Sequence, residues 1–358
     1  MKQSNFRFRD TTKMLQDWGR TMPRQSGYDE AGGRDDFAAW QHKGRKKLKE
    51  LLGLLPMSNP KPQSWLLEVE KLDAFTREHW AIESPFGDHL FFYRLVPTQA
   101  PRALMLAFHG HGYYGADPVV GIMKGRYNEA DSAAAANYNY GEEFVKRGYL
   151  VYALTQRGFG VRCDLDNPAN GPDVDHDTPT PPPGCSCQDI NTRAILLGTT
   201  DIGMRVQDAL HLIDWIKTRK GEKTLPLGCM GLSGGGHITE YLAAVDPRIQ
   251  AASIQGYFCY WTDQIMDVTH CACNYVPFLL RHFEQDDVCG LIAPRPLLVT
   301  TADQDGVAPI KSFRAAFKSL QGIYADQDAK ANLVQDTFKG GHEFSGRKAF
   351  KFFEKHLR

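Results

Sequence analysis

Short apolar runs alternate with amphipathic stretches through most of this chain. The runs are Ala103–Phe108, Tyr149–Leu154, Leu225–Met230, Ala251–Ile254 and Pro296–Thr300, and Leu333-Val334 begins a further short one. Each is too brief for a helix and is bounded by turn-forming residues, which predicts buried strands. Between them the apolar positions fall three and four apart. Ile202, Val206, Ala209, Leu210, Ile213 and Ile216 share one face of Asp201–Lys217, and Ile238, Tyr241, Leu242 and Val245 share another. Ile310, Phe313, Phe317 and Leu320 repeat the pattern, as do Phe350, Phe353 and Leu357 at the end. Strands alternating with helices pair in parallel through crossover connections. The expected fold is therefore α/β, with a mostly parallel central sheet flanked by helices.

The first part of the chain reads differently. Residues 1–64 are polar, with one helical pattern from Asp36 to Leu55 whose buried candidates are Phe37, Trp40, Leu48, Leu51, Leu52 and Leu55. Pro56, Pro60 and Pro62 stop it. This predicts a helical N-terminal extension over 1–64 and one large domain over 65–358. From Trp65 to Val96 the text is strand-like, and Pro85-Phe86-Gly87-Asp88 joins Trp80-Ala81-Ile82 to Leu90-Phe91-Phe92-Tyr93 as an antiparallel hairpin. The proline-rich stretch 167–187 breaks the alternation and reads as an insertion loop bordering the substrate site.

Composition narrows the partners. Lys plus Arg and Asp plus Glu both number 42, so the formal net charge is zero. That balance argues against nucleic acid or an anionic membrane and for a small substrate; it leaves the oligomeric state open. No stretch approaches the ~20 apolar residues that span a bilayer. The polar, basic start has no apolar run behind it, which predicts a cytoplasmic protein, or a periplasmic or secreted one if a leader was removed. The 8 cysteines include two Cys-x-Cys pairs, Cys185/Cys187 and Cys271/Cys273. Each is one residue short of the usual structural-zinc spacing, so the expectation is buried thiols or disulfides and no metal.

The chemistry centres on Gly231-Leu232-Ser233-Gly234-Gly235. A serine hydroxyl attacks only when a base takes its proton and donors await the oxyanion. Here the motif joins a buried strand to a helix, the setting of a nucleophile elbow with Ser233 at its tip. In such elbows the partners follow in the order serine, acid, histidine. Asp303 and Asp305 both leave the strand Pro296–Thr301, and spacing alone does not separate them. His342, after Gly340-Gly341, is the candidate base. The Gly234 N–H is one oxyanion donor; the second comes from His109-Gly110-His111-Gly112, where His111 or Gly112 offers its N–H. His109 and His111 as metal ligands are the weaker reading, since no carboxylate accompanies them at a familiar spacing.

Together these motifs resemble the acetyl xylan esterase-like and dienelactone-hydrolase-like branch of the α/β-hydrolase superfamily. The resemblance spans about residues 100–358. It rests on Phe108-His109-Gly110, Arg157-Gly158-Phe159-Gly160, Gly231–Gly236, Leu291–Leu298, Asp305-Gly306-Val307-Ala308-Pro309 and Gly341-His342. It implies Asp305 as the acid and His111 as the second oxyanion donor. It further implies cleavage of short acyl esters, often acetyl groups on carbohydrates, without a cofactor. Dienelactone hydrolases proper use cysteine, so Ser233 points to the esterase side. A prolyl-oligopeptidase-type peptidase shares the triad order, but about 64 N-terminal residues cannot build its propeller. A hydrolase fold that has lost catalysis is the non-enzyme alternative.

Overall fold

The computed structural model describes residues 10–56, 61–122, 136–164 and 185–358. A nine-stranded sheet runs through it in the order β1-β2-β3-β5-β4-β6-β7-β8-β9. The strands are β1 Ser64–Lys71, β2 Phe75–Glu83, β3 His89–Pro97, β4 Ala103–Phe108, β5 Tyr149–Leu154, β6 Leu227–Leu232, β7 Ala251–Gln255, β8 Leu297–Ala302 and β9 Leu333–Phe338. The first three pair antiparallel, and β3 joins β5 antiparallel. From β5 onward every pairing is parallel. The mostly parallel sheet and the β2–β3 hairpin are those the apolar pattern predicts.

Helices cover both faces. They are α1 Thr11–Thr21, α2 Phe37–Leu51, α3 Tyr140–Lys146, α4 Cys187–Ala194, α5 Asp201–Thr218, α6 Gly234–Val245, α7 Leu279–His282, α8 Gln285–Gly290, α9 Ile310–Ala325 and α10 Gly346–His356. Side chains on a strand alternate between faces. Accordingly Leu104, Leu106 and Phe108 enter one core with Val206, Ile213, Ile238 and Phe313, while Ala103, Met105 and Ala107 enter the other with Phe144 and Phe353. Both faces of β4 are buried, which is why its sequence is apolar without interruption.

The N-terminal segment packs onto this body. Trp40, Leu48 and Leu52 enter the first core, and the Arg45 guanidinium donates to the Ala244 carbonyl at the end of α6 at 3.0 Å. One expectation fails here: α2 ends at Leu51, and Leu55 is half exposed. Gly53, at φ 66°, turns the chain before the prolines are reached. The helix α1 was not expected, because it buries Gly19 and leaves its apolar side chains Met14, Leu15 and Trp18 exposed. Most of the proline-rich stretch (165–184) lies outside the described residues, as does 123–135.

An ion cluster, buried at Arg157, Arg162 and Asp208 and half exposed at Asp88, fixes the loop after β5. Arg157 donates to Asp88 at 2.7 Å and to Asp208 at 2.9 Å, and Arg162 donates to Asp208 at 2.7 Å. Burial would raise the Asp88 carboxyl, but the guanidinium groups of Arg157 and Arg162 outweigh it and hold it down at about 2. A carboxyl depressed by folding stabilises above its ordinary value of 3.8 and loses that contribution as the pH falls toward about 2. Asp88→Asn should therefore be less stable than the parent at neutral pH, with the gap closing across this acid window. Urea unfolding of both chains at stepped pH measures it; a gap that stays constant from pH 5 to about 2 would refute the linkage.

Candidate active site

The sheet order places the site. Strands β5 and β6 flank β4 on opposite sides, so the connections leaving β4 and β6 part and open a crevice at their carboxyl ends. The loop His109–Gly112 leaves β4, and Ser233 leaves β6, directly beside it.

Ser233 has φ 59° and ψ −124°, backbone angles that L side chains rarely adopt. Glycines make the turn possible by leaving room. A Cβ on Gly231 would lie 2.7 Å from the Gly235 Cα, and one on Gly235 would lie 2.6 Å from the Phe108 carbonyl carbon. The helix α6 therefore meets the ends of β4 and β6 at backbone contact. Its first N–H, on Gly234, lies at a helix N-terminus where the dipole favours negative charge.

The β4 loop closes on the same point. A Cβ on Gly110 would lie 3.0 Å from the Ser233 Cβ, and one on Gly234 would lie 3.7 Å from the His111 backbone nitrogen. The peptide N–H groups of Gly234 and His111 are thus neighbours. His109 is buried and structural: its Nδ1 faces the Gly110 carbonyl at 2.7 Å and its Nε2 accepts from the Gln156 N–H at 3.0 Å. Burial lowers the His109 imidazole to about 3, so it stays neutral and fastens the β4 loop to the β5 loop.

On the other flank, the Ser233 N–H donates to the Gln255 carbonyl at 2.9 Å. The next residue, Gly256, has φ 59° and lies beneath His342; a Cβ there would come within 3.0 Å of the ring. The His342 Nδ1 lies 3.0 Å from each Asp305 carboxylate oxygen. The Asp305 side chain is 1% exposed, and its Oδ1 also accepts from the Val307 and Ala308 N–H groups at 2.8 and 3.1 Å. Asp303 is exposed and does something else: its Oδ1 accepts from the Gly340 N–H at 3.1 Å, holding the histidine loop. The pair that pattern alone left open is separated by geometry. The His342 Nε2 is buried, with no hydrogen-bond partner among the described residues.

Two features escaped the sequence. The Tyr138 hydroxyl occupies the space where a Gly110 Cβ would lie, at the edge of the crevice, and burial pushes it up to about 12. Nothing in Asn137-Tyr138-Asn139-Tyr140 marks it out. The second is the meeting of the Cys-x-Cys pairs. Cys187 Sγ lies 3.1 Å from Cys185 Sγ and 3.3 Å from Cys271 Sγ. His111 Nε2 lies 3.1 Å from Cys273 Sγ and 3.7 Å from Cys187 Sγ. Taken pair by pair, the spacing argued against a metal. The fold changes the donor count, because both pairs and His111 converge on one point.

Fold and site together define an α/β-hydrolase. The chain belongs to the abhydrolase family, whose sequence profile matches residues 1–318 and so includes the N-terminal helices. It is 27% identical over 302 residues to the Bacillus subtilis (strain 168) protein named "Putative hydrolase YtaP", covering 80% of this chain and 88% of that one. Among solved structures it is similar to a "putative acetyl xylan esterase" of Bacteroides fragilis NCTC 9343, with a TM-score of 0.72 and 17% identity over 100% of this chain and 92% of that one. Acetyl Xylan Esterase 1 from Thermoanaerobacterium sp. JW/SL YS485 gives a TM-score of 0.55 and 15% identity, covering 88% of this chain and 92% of that one. At such identities the likeness is one of fold. Among the described residues, no helix is long and apolar enough to cross a membrane.

Proposed function

We propose that this hydrolase is a serine carboxylesterase that removes short acyl groups, acetyl foremost, from a small alcohol or a saccharide. The observation that carries the reading is the strained Ser233 elbow beside a His342–Asp305 pair whose Nε2 is free to take a proton. His342 accepts the Ser233 proton as Oγ attacks the ester carbonyl. Asp305 holds the proton on Nδ1 and stabilises the imidazolium. The Gly234 and His111 N–H groups receive the developing oxyanion, each such donor being worth roughly 3–4 kcal/mol in comparable sites. His342 then returns the proton to the departing alcohol, leaving acyl-Ser233, and the same residues activate water to release the acid. Both esterase-named neighbours share the fold that presents these groups.

The test is a substrate panel. Aryl acetates and acetylated sugars should be cleaved faster than aryl esters of eight or more carbons, and proline-containing peptide amides should be inert. Preference for the peptide amides would overturn the reading in favour of a peptidase. Failure of fluorophosphonate to label Ser233 would remove the serine mechanism altogether.

A further inference from the structure

The geometry points to a metal site, a tetrahedral thiolate–imidazole centre formed by Cys187, Cys271, Cys273 and the Nε2 of His111, with zinc as the ion it takes. The four donor atoms all lie within 4.8 Å of one another. A tetrahedral zinc with arms of about 2.3 Å to sulfur places its ligands roughly 3.8 Å apart; His111 Nε2 lies 3.1 Å from Cys273 Sγ and 3.7 Å from Cys187 Sγ, and Cys187 Sγ lies 3.3 Å from Cys271 Sγ. Three sulfurs and an imidazole are the soft donor set that selects zinc over magnesium or calcium.

A disulfide accounts for less of this arrangement. It would consume two sulfurs and leave another thiol and the imidazole crowded against it. Cys187 approaches both Cys271 Sγ, at 3.3 Å, and His111 Nε2, at 3.7 Å, as a ligand of a shared ion would and a disulfide partner would not. A cation satisfies all four donors at once. Cys185, beside Cys187, completes the thiol cluster as a neighbour outside the four.

The surroundings suit a charged centre. Binding Zn²⁺ to three thiols and a neutral imidazole releases three protons and leaves one net negative charge. The fully buried Arg205 guanidinium, ion-paired with Asp201, also lies near Cys187 and Cys273 and brings positive charge to the cluster. The Asn274 side chain donates toward Cys273 Sγ at 3.7 Å, and Asn191 donates to the Ala272 carbonyl at 2.7 Å, tying α4 to the 271–273 turn. Phe159 closes the apolar side, its ring 5.1 Å from that of His111.

Four protein ligands leave no open coordination position, so the ion is a clamp. It joins the loop after β4 and the start of α4 to the turn at 271–273 that follows β7. One ligand, His111, is also the residue whose backbone N–H lies beside Gly234. The zinc thereby fixes the distance between the two peptide N–H groups facing Ser233.

The experiment uses the full chain purified without chelator from zinc-supplemented culture. Elemental analysis should find about one zinc per chain, and Cys271→Ser should lose most of it. Should that variant fail to fold, cobalt settles the matter in the parent chain: Co²⁺ replacing the zinc should give intense visible bands and sulfur-to-cobalt charge transfer. A folded chain that holds no zinc and gives no such spectrum overturns the site, whether thiol titration after denaturation finds eight thiols (an uncharged cluster) or six (a disulfide). The metal assignment stands apart from the esterase reading. Zinc-free protein that still reacts with fluorophosphonate sinks the site alone; zinc-loaded protein that does not react sinks the esterase alone.

Discussion

Replacing Ser233 with alanine is expected to lower kcat for aryl acetate hydrolysis by about 10⁴-fold or more, since without a nucleophile only oxyanion stabilisation and substrate binding remain to speed attack by water. The fold should survive, because the Ser233 side chain caps nothing in α6. A second substitution separates chemistry from strain. At φ 59° and ψ −124°, any residue with a Cβ costs of order 1–3 kcal/mol, and glycine does not. Ser233→Gly should therefore be as inactive as Ser233→Ala yet melt higher, by a few degrees at most in a chain of this size. Steady-state kinetics and thermal melts of the two variants check both halves. Retention of more than about 1% activity in Ser233→Ala would remove it as the nucleophile.

Asp305→Asn is the second large effect. The Asp305 carboxylate receives the His342 Nδ1 proton while its Oδ1 accepts two backbone N–H groups. An asparagine turned to keep those backbone bonds presents its NH₂ to the imidazole. Nδ1 must then accept, the proton moves to Nε2, and the nitrogen needed by Ser233 is blocked. The expected loss in kcat is about 10³–10⁴-fold with little change in KM. Asp303→Asn retains an acceptor for the Gly340 N–H and should cost only a few-fold, through looser placement of the histidine loop. Equal losses in the two variants would show that Asp305 acts through the loop and not through the imidazole.

The α/β order was legible because β4, β5, β6, β7 and β8 are buried on both faces and so are written as short, mainly apolar runs, interrupted by Ser253 and Gln255 in β7 and by Thr300 and Thr301 in β8. The edge strand β1 was also readable, though its Leu66, Leu67 and Val69 are about half exposed. Boundaries were less faithful. β6 begins at Leu227, past Pro226, so Gly231 and Leu232 belong to the strand and Ser233 stands at its very end. In the site, Ser233 and His342 could be read from chain order because an elbow and a late glycine-flanked loop are local signals. Asp305 could not be chosen from spacing, since Asp303 has the same residue type two positions away; the family resemblance pointed to it, and the fold buries it against His342 Nδ1 while Asp303 stays exposed. Tyr138 and the cysteine–histidine cluster were hidden for one reason: their partners meet through tertiary structure. Cys187 and Cys271 touch across 84 positions of chain.

The parting of the connections around β4 also shapes how this protein can vary. The Gly234 and His111 peptide groups beside Ser233 are placed by the ends of β4 and β6 and the start of α6. An alanine scan would miss their N–H groups, because only proline removes a backbone donor. The described residues that follow β4 and β5, by contrast, bring side chains up against this point, Tyr138 at Gly110 and Phe159 at His111. Those side chains can be exchanged while the peptide groups set by the strand ends are kept.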